Sequence, residues 1–171
     1  MLKILLPNEY VKSVFDIKPE YLKEKNIKGI ITDLDNTLVA WDVEEATSEV
    51  REWFQSMERH GISIMIISNN KMKRVKIFSE PLGTPYVSDA RKPLRHSFNK
   101  AAEEMGLKKE EIVVIGDQLL TDVLGGNRAG FYTILVVPIV ETDAKITRIN
   151  RAIERKLFNY FRKKGLMTWE E

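Results

Sequence analysis

The chain has 171 residues and 19.8 kDa, a size that one domain with one core accounts for. Hydrophobic residues make up 43% and charged residues 30%, with 9 Gly and 6 Pro, which excludes a disordered, fibrous or disulfide-stapled chain. Lys and Arg total 27 against 25 Asp and Glu, so a uniformly polybasic nucleic-acid binder is excluded, and the absence of Cys removes zinc-thiolate sites and cysteine nucleophiles.

In chain order, the opening Met1-Leu2-Lys3-Ile4-Leu5-Leu6-Pro7 breaks its apolar run too early for a signal peptide or a spanning helix. With no cysteine to protect, a cytoplasmic setting is the expectation. Residues 1–26 are expected to add one or two short helices ahead of a catalytic core over 27–140. Residues 27–32 read as a buried strand that runs into Asp33-Leu34-Asp35-Asn36-Thr37. A second strand over 62–67 ends at Ser68-Asn69-Asn70, whose polar side chains suit the start of a helix carrying Arg74, Val75, Ile77 and Phe78. A short strand near Tyr86-Val87 is followed by Lys92-Pro93, which is expected to open a helix reaching Gly106. Residues 112–115 form the next buried strand, ending at Gly116-Asp117, and a helix over 119–129 leads to a last strand over 132–137. Strands alternating with helices predict an α/β fold: a mostly parallel, Rossmann-like sheet in three layers, with ligands beyond the carboxyl ends of the strands.

The polar residues at those ends form a chemical set. Asp33 and Asp35 are two positions apart, so on extended backbone their carboxylates leave on the same side. Hard oxygen ligands of this kind suit Mg²⁺, and Asp117, from another strand end, is the natural additional ligand. A carboxylate can itself attack phosphorus when cations neutralise the phosphoryl oxygens, and Lys92 supplies one. Ser68 and the backbone amides near Asn69 and Asn36 can donate hydrogen bonds to a phosphorylated substrate. Asp35 is placed to give a proton to the leaving alkoxide and later take one from water.

The ordered set Asp33-Leu34-Asp35-Asn36-Thr37, Ser68, Lys92 and Gly116-Asp117 with Asp122 resembles the four motifs of the haloacid dehalogenase (HAD) superfamily. A closer match runs through Ser13-Val14-Phe15-Asp16-Ile17, Ala90-Arg91-Lys92-Pro93 and the stretch from Gly116 to Arg128. It resembles the YqeG-type phosphatases of HAD subclass IIIA, which are similar to mitochondrial phosphatidylglycerophosphate phosphatases. The resemblance implies Asp33 as nucleophile, Asp35 as general acid and base, and Ser68 with Lys92 holding the phosphoryl group. It implies Mg²⁺ held by Asp33, the backbone carbonyl of Asp35 and Asp117, with Asp122 supporting the metal through water or orienting Lys92. Phosphatidylglycerophosphate becomes the leading substrate, with a soluble or macromolecular phosphoester as the alternative.

Asp35 to Ser68 spans 33 residues and Ser68 to Lys92 spans 24, which leaves no room for a cap domain at either place. Recognition then falls to short loops carrying Trp41, Asp42, Arg74, Arg91 and His96. The last stretch, 141–171, reads as a basic amphipathic helix. Residues 145–164 hold eight basic side chains against the single acid Glu154, with Ile146, Ile149, Ile153, Leu157, Tyr160 and Phe161 near helical spacing. Its apolar stripe either packs on the core or meets an anionic membrane at its inner face, and contact with RNA or a protein is a third reading.

Overall fold

A computed structural model describes residues 2–141 and 147–167, the side chains of residues 147 and 148 excepted. The strands are β1 (Glu9–Val11), β2 (Gly29–Thr32), β3 (Ser63–Ile67), β4 (Tyr86–Val87), β5 (Ile112–Gly116) and β6 (Tyr132–Val136). They form one sheet, all neighbours parallel, in the order β1-β6-β5-β2-β3-β4. The helices are α1 (Pro19–Glu24), α2 (Ser48–Arg59), α3 (Met72–Ser79), α4 (Arg95–Met105), α5 (Leu124–Ala129) and α6 (Thr147–Lys163).

Both central strands, β2 and β5, are buried at every position, which is why they read as continuous apolar runs rather than alternating ones. Successive residues serve opposite faces. Ile30, Ile66, Val113 and Ile115 pack with Val50, Trp53 and Met57 of α2 and with Val75 and Phe78 of α3. Ile31, Met65, Ile67 and Val114 pack with Phe98, Ala101 and Ala102 of α4. A third cluster joins Phe161 of α6 to Leu5, Leu119, Val123 and Leu135. Between β2 and β3 lie only a loop and α2, and between β3 and β4 little more than α3, so among the described residues no cap domain is inserted at either place. Among the described residues no helix is long and apolar enough to cross a membrane.

Four expectations are corrected. The extension over 1–26 is not purely helical: β1 pairs with β6 from Glu9↔Ile134 to Val11↔Val136. The Glu9 carboxylate accepts from the hydroxyls of Tyr21 and Tyr132 and pairs with Lys25 at 3.3 Å, so side chains pin a strand too short to announce itself. The helix after Lys92-Pro93 begins at Arg95, beyond a turn closed by Leu94 N donating to Arg91 O at 3.0 Å. The helix expected over 119–129 starts with a turn of π-helix, Leu119–Val123, before α5.

The fourth correction concerns α6, only part of whose apolar stripe turns inward, with Leu157 and Phe161 on the third cluster. Glu154 and Phe161 are buried, whereas Ile149 is 71% exposed, Ile153 44% and Tyr160 43%. Lys145 and Ile146 lie outside the described residues, as does the side chain of Arg148.

Candidate active site

Asp33 follows β2 directly, and its amide donates to Ile115 O at 2.9 Å, extending the ladder one step past the strand. Ser68 follows β3 in the same way, its amide on Val87 O at 2.9 Å. Asp117 follows β5. The parallel sheet therefore delivers these residues to one rim.

Lys92 joins the end of β2 to the helical turn that follows β5. Its Nζ donates to Asp33 Oδ1 and to Asp122 Oδ1, each at 2.7 Å, with the lysine side chain 3% exposed. Burial works against its charge, but the carboxylates of Asp122 and Asp33 outweigh it and hold the ammonium above the ordinary lysine range. Asn69 fixes the lysine's backbone by accepting from Lys92 N at 2.7 Å and donating to Lys92 O at 3.1 Å. The Ser68 hydroxyl oxygen accepts from Asn70 N at 3.0 Å, which leaves its proton to donate elsewhere.

Asp33, Asp117 and Asp122 each bring a carboxylate oxygen within 4.8 Å of the other two, and all three residues are buried. Burial pushes Asp117 and Asp122 above the usual aspartate value, opposed by Arg151 at the first and Lys92 at the second. Such a set of crowded hard oxygens fits a divalent cation of the Mg²⁺ type, which relieves the repulsion. Asp122 has both oxygens engaged, by Lys92 and by Gln118 N at 3.1 Å, so it is arranged to orient the lysine. Thr37 Oγ1 donates to Asp117 Oδ1 at 3.1 Å and ties the first motif to the last.

Asp35 points away from that cluster. Arg74 donates to its Oδ1 from Nε at 3.1 Å and Nη2 at 2.9 Å, and Asn70 Nδ2 donates to Oδ2 at 3.1 Å. Burial and the charge of Asp33 together lift its pKa above the ordinary value, against the pull of Asn70 and Arg74. A carboxyl tuned this way, 20% exposed on its side chain, can carry a proton to an incoming ligand.

One expected donor differs from the sequence reading. The Asn36 amide is used internally, on Val39 O at 2.7 Å, in a left-handed turn (φ 64°) rather than a helix start. The Asn69 side chain serves Lys92, and the expected donor near it, a backbone amide, is separate from that contact. Of the loop candidates, Arg74 lies on Asp35, while Trp41, Arg91 and His96 are exposed. Sequence reasoning missed Thr37, Arg151 and Glu154. Arg151 of α6 reaches Asp117 with both guanidinium nitrogens, one of them on the carbonyl oxygen at 2.9 Å. The lone acid in a basic helix was the available signal, because a buried counter-charge is the one thing such a helix needs only where it touches the core.

Residues 89–155 match a family model described as HAD-hydrolase-like. Over 169 residues the chain is 59% identical to Probable phosphatase YqeG of Bacillus subtilis (strain 168), covering 99% of this chain and 98% of that one. The chain belongs to the HAD-type phosphatases. This phosphatase is also 28% identical over 177 residues to phosphatidylglycerophosphate phosphatase 1, chloroplastic/mitochondrial, of Arabidopsis thaliana, with 96% of this chain aligned to 50% of that one. Its fold is shared with the cobalt-bound deoxy-D-mannose-octulosonate 8-phosphate phosphatase of Haemophilus influenzae, at TM-score 0.56 and 17% identity over 67% of this chain and 70% of that one.

Proposed function

We propose that this phosphatase hydrolyses a phosphomonoester with Mg²⁺ through an aspartyl-phosphate on Asp33, and that its leading substrate is phosphatidylglycerophosphate. The observation that carries the mechanism is Asp33 itself. It is a buried carboxylate at a strand end, held through one oxygen by Lys92 and with its other oxygen left to attack. Asp33 and Asp117 would hold the metal, with the Asp35 backbone carbonyl as a third ligand; when bound, the metal supplies charge stabilisation to the phosphoryl oxygens. Lys92 and Ser68 hold the same oxygens. The Asp33 oxygen forms a bond to phosphorus as the bond from phosphorus to the substrate oxygen breaks, and Asp35 gives that oxygen its proton. In the second half, Asp35 takes a proton from water, the water oxygen bonds to phosphorus, and Asp33 is released with inorganic phosphate.

Two observations support the lipid substrate. The similarity to the Arabidopsis thaliana protein extends over 96% of this chain. The outer face of α6 presents Ile149, Ile153 and Tyr160 at helical spacing beside the exposed Lys156, Lys163 and Lys164, a pattern that suits an anionic bilayer surface. An uncapped site admits a headgroup that stays in its membrane, and the protein then works peripherally. A panel of phosphate esters, including vesicle-embedded phosphatidylglycerophosphate and small soluble esters, assayed with and without Mg²⁺, tests both levels. Preference for the lipid with Mg²⁺ is expected. Preference for a soluble ester replaces the substrate, and metal-independent turnover overturns the mechanism.

A further inference from the structure

Helix α6 lies outside the alternating strand and helix units that build the site, yet it grips the loop between the two carboxylates at the end of β5. Arg151 Nη1 donates to the Asp117 carbonyl oxygen at 2.9 Å, and Nη2 of the same fork is ion-paired with Asp117 Oδ2. One turn further on, Glu154 accepts from Leu120 N at 3.1 Å through Oε1 and from Arg151 Nη1 at 3.2 Å through Oε2. Glu154 is 1% exposed, and the Asp117 side chain is fully buried. Together the two residues hold the backbone at 117 and at 120, both just ahead of Asp122 in the chain.

We infer that Arg151 and Glu154 are positioning residues for the metal ligand Asp117, so that α6 completes the cation site from outside the core. The inference rests on the functional reading above. Charge and geometry decide between this and a masking role, in which the guanidinium would hold the place of the metal. Among the described residues, the three clustered carboxylates Asp33, Asp117 and Asp122 face one buried cation, Lys92, a deficit of two that a divalent ion matches when all three are ionised. Arg151 arrives already paired with Glu154, so α6 adds donors without adding net charge. The guanidinium also binds main chain and side chain of Asp117 at once. That contact fixes the residue's orientation, whereas a simple counter-ion would need only the carboxylate. With Thr37 on Oδ1 and Arg151 on Oδ2, the carboxylate is fixed in its plane. Partners of this kind around a metal ligand are worth about 10- to 100-fold in metal affinity. Lysine cannot replace the fork, because its single ammonium cannot span both oxygens in the plane.

The test is Mg²⁺ binding by titration calorimetry, with the Mg²⁺ dependence of turnover beside it, on the full chain and on Arg151→Met, Arg151→Lys, Glu154→Gln and the exposed-site control Arg155→Met. Circular dichroism checks each fold. Arg151→Met should bind Mg²⁺ about 10- to 100-fold more weakly, with kcat largely recovered at saturating Mg²⁺. Arg151→Lys and Glu154→Gln should fall between it and the parent, and Arg155→Met should match the parent. If Arg151→Met fails to fold, the graded order of the other two carries the decision. Unchanged or tighter Mg²⁺ binding by the Arg151 and Glu154 variants overturns the inference, as does a change confined to the KM for the ester. A parent protein that turns over esters yet binds no Mg²⁺ overturns the functional reading first.

Discussion

Asp33 and Asp35 stand two residues apart and live in different surroundings, which is what the proposed two-step phosphoryl transfer would ask of them. Asp33 is tied to a buried ammonium, whereas Asp35 is lifted by burial and by its neighbour's charge. Asp33→Asn should therefore abolish turnover, by about 4 kcal/mol or more in transition-state terms, while the thermal midpoint stays the same or rises because a crowded carboxylate is gone. Steady-state assay and a melting curve on the same preparation check this, and appreciable turnover would reassign the nucleophile. Asp35→Asn should spare esters with good leaving groups, such as nitrophenyl phosphate, far more than alkyl phosphates in single-turnover phosphorylation; equal losses across the series would remove Asp35 as the acid. The buried acidic cluster adds a pH dependence. Burial raises Asp117 and pushes Asp122 from 3.8 up to about 6, so the folded protein holds more protons than the unfolded chain between these values. Without metal, stability then falls as pH rises through that window, because the charged forms are the buried ones. Added Mg²⁺ favours those charged forms and should raise the melting temperature more at pH 7.5 than at pH 5, measured by scanning calorimetry.

At the scale of elements, the end of β5 is built around the absence of one side chain. A Cβ on Gly116 would lie 2.2 Å from Asp122 Cγ, so the residue has to be glycine for Asp122 to approach Lys92. Gly125 is comparably tight, with a Cβ meeting Phe98 at 2.4 Å, but its neighbours are apolar. Gly116→Ala should thus displace the carboxylate and cost turnover, on the order of 100-fold for a 1 Å shift, whereas Gly125→Ala should cost stability, about 1–3 kcal/mol, with kcat retained. Paired kinetics and melting curves separate the two. Helix α6 divides in the same way. Its inner face meets the site, so the charges that the proposed membrane contact would use exclude Arg151. Changing Lys156, Lys163 and Lys164 to Gln should weaken binding to anionic vesicles at low salt by up to about 1 kcal/mol per lysine and leave soluble-ester turnover intact. Co-sedimentation at two ionic strengths measures it, and unchanged partition would leave the outer face without a lipid role.

Across the whole molecule, what was legible in the sequence is what local pattern encodes. The runs at 29–32, 63–67 and 112–116 carry enough apolar residues to declare buried parallel strands, and Asp33, Ser68 and Asp117 stand at their ends because the strand stops where polarity starts. Lys92 was found by its motif. Long-range partnerships were not legible. One partner of Glu9, Tyr132, lies 123 residues away, and Arg151 meets Asp117 only once α6 folds back, so neither leaves a periodic trace. The apolar spacing of α6 found Leu157 and Phe161 but not the buried Glu154, and it included Ile149 and Ile153, which face outward.

The edge strand β1 has one more consequence. It is first in sequence, yet its partner is β6, with Glu9 opposite Ile134 across a separation of 125 residues. Closing so long a loop costs little more than closing one half as long, about 0.6 kcal/mol per doubling, so the equilibrium fold tolerates it. Kinetics is less forgiving, since non-local parallel pairing comes late and slowly. The four strands from β2 to β5 can assemble from a contiguous stretch, while the first dozen residues wait for β6. As the ribosome extends the chain, the segment made earliest is therefore among the last to find its place, and until then β6 keeps an open edge that other unfinished chains can meet.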